Sequence, residues 1–165
     1  MASIRDDIKG ALDDCILDIK QRHVSAGQRA SGRGMASLES RVESVPDGYV
    51  GQVWGLPYVG AWETGRGPAR QAGTPQEKIA FVASLAEWCR LRGFPAESLS
   101  DEQYIRTARW LRWYINKFGT KLYRAGGRRD IITPAVEALE ARLEKILSVY
   151  YEAEIENNFF NGGKI

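Results

Sequence analysis

The sequence predicts an α+β fold: an N-terminal helix, a small antiparallel sheet made by one β-hairpin, and a cluster of three further helices. Three observations carry that expectation. Apolar residues recur at helical spacing in four separate stretches; strict alternation appears once, over residues 38–44; and Pro46-Asp47-Gly48 follows the alternation as a turn. Residues 1–165 read as a single domain with a flexible Gly/Ser/Arg loop at 25–35 and a C-terminal extension at 152–165.

The first helix opens on Ser3 as N-cap, with Asp6 and Asp7 favourable to its dipole. Its apolar stripe is Ile8, Ala11, Leu12, Cys15, Ile16 and Ile19, and its end is expected near Arg22 and His23. The following loop cannot pack a core. Its Arg29 and Arg33 suit either an anionic partner or a plain solvated linker. In the hairpin, Leu38 and Val42 share a face opposite Glu39, Arg41 and Glu43, the Pro-Asp-Gly turn reverses the chain, and Tyr49 to Trp54 return. Pro57 ends the second strand because it lacks a ladder donor.

Gly55 to Pro68 form a glycine-dense junction between hairpin and helices. Such density costs backbone entropy and is kept where the chain turns sharply or approaches something closely. On a helical turn Tyr58 and Trp62 share a face, and Glu63 lies within pairing reach of Arg66. The junction reads as structural, without a group suited to chemistry.

Thr74-Pro75-Gln76-Glu77 is a capping box with proline at the first helical position. The helix it opens carries Ile79, Val82, Ala83, Ala86 and Cys89 on one stripe, widened by Phe81, Leu85 and Trp88, which implies burial on more than one side; Gly93 stops it. Ser100 to Gln103 form a second capping box. Beyond it, Tyr104, Ala108, Leu111, Ile115 and Phe118 line one stripe, Trp110, Trp113 and Tyr114 stand beside it, and Arg106, Arg109, Arg112 and Lys117 fill the rest. Residues 120–132, with Arg124, Arg128 and Arg129, read as an exposed loop or short hairpin. Thr133-Pro134 begins the last helix as cap and first residue. Val136, Leu139, Leu143, Ile146, Leu147 and Tyr150 approach a heptad seam that fits either intramolecular packing or a partner helix. Tyr151, Ile155, Phe159 and Phe160 then form an apolar tail suited to docking on a neighbour.

Composition narrows the function classes. Apolar residues are 44%, charged residues 27% and the net charge +2, so a soluble globular chain is expected with no compositional demand for nucleic acid or membrane. Five tryptophans and seven tyrosines exceed the needs of a small core and suit interfaces. Cys15 and Cys89 lack a neighbouring ligand, so no metal and no cofactor is expected. The first seven residues have no apolar run and no stretch approaches the ~20 residues of a membrane span, so cytosolic synthesis is expected. His23, at a helix end, reads as a C-terminal cap, and none of the common hydrolase, metalloprotease or phosphate-loop motifs is present. Catalysis is not expected; a nuclease built on Glu63 and Asp130 is the weakest of the readings weighed.

The order of elements, with Tyr58, Ala61, Glu63, Gly65, Arg66 and Pro68 at the junction, resembles the tail-completion (neck, head–tail connector) proteins of tailed bacteriophages. Leu85, Trp88 and Gly93, then Ala108, Ile115, Gly119, Thr120 and Pro134-Ala135, continue the resemblance over about residues 1–150. It departs where the family often has Phe before Pro-Ala and this chain has Ile131-Ile132-Thr133, and residues 94–100 and those after Glu152 look like extensions. The resemblance implies a non-enzymatic virion protein at the head–tail junction, assembled in the host cytoplasm as a homo-oligomeric ring between connector or stopper and tail tube, with genomic DNA passing through its lumen. Subunit or partner contacts are then expected at Tyr58, Trp62, Glu63, Arg66, Leu143, Ile146, Tyr150, Tyr151, Phe159 and Phe160, and DNA-facing charge at Arg29, Arg33, Arg124, Arg128 and Arg129. The competing reading is a nucleic-acid-binding regulatory protein using Arg106, Arg109 and Arg112 beside aromatic side chains.

Overall fold

The computed structural model describes residues 3–28, 31–69 and 73–156; Arg29, Phe159 and Phe160 lie outside them. The fold is α+β. Helix α1 (Ile4–Ser25) forms the expected capping box between Ser3 and Asp6 and buries the expected stripe from Ile8 to Ile19. It runs past His23, because the Ala26 N–H still donates to Arg22 O. Within the expected loop, α2 (Arg33–Ala36) is one helical turn begun by Gly32 in the left-handed region. Strands β1 (Glu39–Val45) and β2 (Gly48–Trp54) pair antiparallel, from Glu39 opposite Trp54 to Val45 opposite Gly48.

One face of the hairpin lies on α1. A Cβ at Gly51 would stand 3.1 Å from Leu12 Cδ1, so the strand approaches as closely as glycine allows. Ser40 on the same face bonds Asp13. Opposite, Arg41 bonds Glu39 and lies 5.5 Å over the Trp54 ring, whose Nε1 donates to Gln52 at 2.7 Å.

A 3-10 turn (Pro57–Gly60) and α3 (Ala61–Thr64) make the junction, and α4 (Pro75–Arg92), α5 (Asp101–Phe118), α6 (Lys121–Arg124) and α7 (Thr133–Glu156) follow. The three long later helices divide between two cores. Helix α7 lies antiparallel on α1: Ala135 O accepts from Cys15 Sγ, Arg142 pairs with Asp14, and Tyr150 donates to Asp7 at 3.0 Å. The main core joins Cys15, Ile16, Ile19, Leu38, Trp62, Ile131 and Ala135. Helices α4 and α5 pack on each other around Ala86, Cys89, Tyr104 and Ala108.

One expectation fails and another is narrowed. Helix α4 is not buried on several sides, and Ile79 is 70% exposed. Its close packing is against α5, so the stripe containing Ala86 and Cys89 is the part that is closed. Residues 120–132 are no hairpin: Thr120 accepts from the Tyr123 N–H and caps the single turn α6.

Candidate functional site

The junction is built around Glu63, 8% exposed in spite of its charge. Its Oε1 accepts from the N–H groups of Ile131 at 2.7 Å, Ile132 at 2.6 Å and Thr133 at 3.1 Å, and its Oε2 from the Thr133 hydroxyl at 2.7 Å. These donors lead into α7, where Val136 N–H already donates to Ile132 O. A carboxylate from far along the chain therefore caps the last helix, facing the positive end of its dipole. Thr133, expected as that cap, donates to Glu63 instead. Burial alone would raise the Glu63 pKa; the hydrogen bonds from Thr133, Ile131 and Ile132 outweigh it and lower it. Both oxygens are committed within the chain, so Glu63 pairs neither with Arg66 nor with a metal beside Asp130, whose carboxylate holds Arg128. Among the described residues no three His, Cys, Asp or Glu side chains stand together as a metal site.

Trp62 faces the other way. Its ring stacks on His23 with centroids 3.8 Å apart, and its carbonyl accepts from Gln28 Nε2. His23 is a buried ring, not a surface cap, and its Nδ1 has no hydrogen-bond partner among the described residues. Burial lowers its pKa, and the charges of Arg128 and Arg92 lower it further. Tyr58 and Trp62 do share a face, and Gly34 lies flat against it: a Cβ there would stand 2.6 Å from Trp62 and 2.9 Å from Tyr58.

Gly65 and Arg66 tie the junction to α6 and α4. Gly65 has φ 69° and ψ 178°, a conformation essentially reserved for glycine, and a Cβ on it would stand 2.4 Å from Tyr123 N. Arg66 N–H donates to Thr120 Oγ1 and Arg66 O accepts from Thr120 N–H. Its guanidinium lies 3.9 Å over the Phe81 ring of α4. Between α4 and the main core runs a groove of about 450 Å³, whose lining includes Trp62, Arg66, Phe81 and Trp88. The ion pair of Arg33 with Glu87, at 2.6 Å, stands on its rim.

The residues expected to meet partners therefore sort into two groups. Trp62 and Glu63 are buried inside the chain, so they shape a surface without forming one; Arg66 is exposed with its guanidinium over Phe81, and Tyr58 stays open. Leu143, Ile146 and Tyr150 are half-buried on the side of α7 facing α1, whereas Tyr151 is 62% exposed. Among the described residues the arginines expected to face DNA do not form a free basic patch. Arg33 holds Glu87, Arg128 holds Asp130, and Arg124 lies 5.3 Å over Tyr114; Arg129 is exposed. On α5, Arg106 and Arg109 face outward, but Arg112 is half-buried, its Nε enclosed and without a hydrogen-bond partner among the described residues.

The two outward helix faces are the surface that sequence reasoning underused. On α5, Trp110 and Trp113 are more than half exposed, beside Arg106, Arg109 and Lys117. On α7, Leu147, Tyr151 and Ile155 are exposed beside Glu137, Glu140 and Glu144. Their signal was the sign of charge on each helix face. Among the described residues no helix is long and apolar enough to cross a membrane. Compared with known proteins, the chain matches no family model, no curated protein and no solved structure.

Proposed function

We propose that this chain is a structural subunit of a tailed-phage virion, forming a homo-oligomeric ring at the head–tail junction that joins the connector or stopper to the tail tube. The observation that carries the reading is the amount of apolar surface left open on separate elements of a small chain. Trp54 on the hairpin, Ile79 on α4, Trp110 and Trp113 on α5, and Tyr151 and Ile155 on α7 are all at least half exposed. Trp110 and Trp113 share one side of α5 and Tyr151 and Ile155 one side of α7 by their spacing, and apolar side chains gathered in this way suit contact with other macromolecules. A two-stranded sheet adds a second support. It is marginal alone, and each strand keeps one unpaired edge that a neighbour's strand can extend. In this reading the role is non-catalytic, and among the described residues the exposed Arg129 suits DNA in a lumen.

The test is the mass and shape of the purified protein, by light scattering and negative-stain electron microscopy, alone and with a tail-tube or connector protein. Rings in either condition support the reading. A monodisperse monomer in both conditions overturns it. One observation favours the regulator reading, namely cations interleaved with tryptophans on α5. A steep fall of DNA affinity with salt, with no assembly, would move the assignment there.

A further inference from the structure

We propose that copies of this chain associate head to tail, the outward face of α7 in one copy docking on the outward face of α5 in the next. The proposal rests on the ring reading only in requiring self-association. Charge complementarity picks the occupant. Three acids, Glu137, Glu140 and Glu144, are exposed on α7 and make no ion pair among the described residues. On α5, Arg106, Arg109 and Lys117 face outward, opposed on that face only by Glu102, which lies 3.7 Å from Arg106.

Each face also carries the apolar surface that a contact needs. Trp110 and Trp113 are 54% and 53% exposed on α5, and Tyr151 and Ile155 are 62% and 54% exposed on α7. On each helix the charged and the apolar side chains follow the same spacing: from Arg106 to Trp113 is seven residues, as is Glu144 to Tyr151, about 10 Å. Because α5 belongs to the second core and α7 to the main core, the two faces are different patches of one subunit. A contact between them is heterologous and propagates to a ring or a filament.

The test uses two charge-reversed variants of the full chain, Glu137→Lys/Glu140→Lys/Glu144→Lys and Arg106→Glu/Arg109→Glu/Lys117→Glu. All six side chains are exposed, and circular dichroism checks that both variants keep wild-type helicity. In sedimentation velocity at low salt each variant alone should associate at least about tenfold more weakly than wild type, since like charges then face each other. An equimolar mixture should recover assembly to within about threefold of wild type, because acid meets base at every interface of an alternating array. Wild-type assembly should also weaken at about 0.5 M salt. Wild type that assembles while either variant assembles equally well overturns this contact and leaves the ring reading standing. So does a mixture that stays dissociated. If the α5 variant loses DNA binding but assembles normally, the face belongs to nucleic acid and the proposal is overturned. A wild type that stays monomeric with and without phage partners overturns this contact and the ring together.

Discussion

Replacing Glu63 with Gln tests whether the junction is held by charge. The substitution keeps shape and one acceptor but removes the negative charge from four hydrogen bonds and from the N-terminal end of α7. Charge-assisted bonds contribute about twice what neutral ones do, and the dipole interaction adds up to ~2 kcal/mol when partly buried. Because the four bonds share one carboxylate and do not add, the expected loss is about 2–3 kcal/mol. In a chain of this size that lowers the melting temperature by about 5–10 °C. Glu63→Ala should cost more, about 4 kcal/mol, because it strips the partner from the N–H of Ile131, which is 0% exposed.

The pH dependence gives an independent readout. The folded pKa of Glu63 lies below its unfolded value, so the stability it contributes is complete above the unfolded pKa of about 4.3 and is lost as pH falls from there through the folded value. Wild type should lose stability on that descent more steeply than Glu63→Gln, measured by urea melts followed by circular dichroism. A Gln variant within about 0.5 kcal/mol of wild type at pH 7, with a parallel acid limb, would refute charge as the basis of the cap.

Gly65→Ala should cost about 2–4 kcal/mol and lower the yield of folded protein, because the new methyl meets Tyr123 N in a backbone conformation alanine avoids; a melt unchanged from wild type would contradict this. Burial, then Arg128 and Arg92, depress the folded pKa of His23, so wild type should lose stability as pH falls below about 6.5. His23→Phe, which keeps a ring on Trp62, should remove that slope between about pH 5 and 6.5 in urea melts. Arg66→Ala removes the cation over Phe81 and should cost about 1–2 kcal/mol, with amide exchange rising in α4 and α5 ahead of α1. Uniform loss of protection across both cores would show that Arg66 does not join them.

What was legible in the sequence was local. The boxes Ser3/Asp6, Thr74/Glu77 and Ser100/Gln103 all form, because cap and third residue lie within one turn and the chain between them has no other choice. The hairpin formed around its Pro-Asp-Gly turn for the same reason. The start of α7 was misread because its cap comes from 70 residues away. Ile131-Ile132-Thr133-Pro134 presents three successive N–H groups and then a residue with none, and the acid that fits them stands in a glycine-rich junction with no periodicity to mark it. His23 was misread likewise: it stands at a helix end beside Gln21, Arg22 and Ser25, while the ring that stacks on it belongs to Trp62. The breadth of apolar face on α4 implied burial on more than one side, which does not occur within the chain, because sequence does not say where a covering surface comes from.

That last ambiguity connects the junction to the proposed assembly. The main core owns the acidic face of α7 and the second core owns the basic face of α5, so a head-to-tail contact pulls on the link between the two cores within every subunit. That link includes Arg66 against Phe81, Arg33 with Glu87, the Arg92 bond to Gly27 O, and the Ala69 N–H donating to Asn116 O. Exposed ion pairs hold such a link weakly. Arg66 is held at both ends, by backbone bonds to Thr120 and by the aromatic ring, and Gly65 and Glu63 fix the segment that presents it. In the proposed ring the junction would set the angle at which one subunit offers α5 relative to its own α7. Closure of a heterologous ring depends on that angle, and an error repeated at each subunit opens the ring into a helix. On this argument Arg66→Ala should leave the pairwise affinity of the α5–α7 contact unchanged while shifting closed rings toward filaments or mixed sizes in negative-stain images. Uniform wild-type rings from that variant would refute a role for the junction in setting curvature.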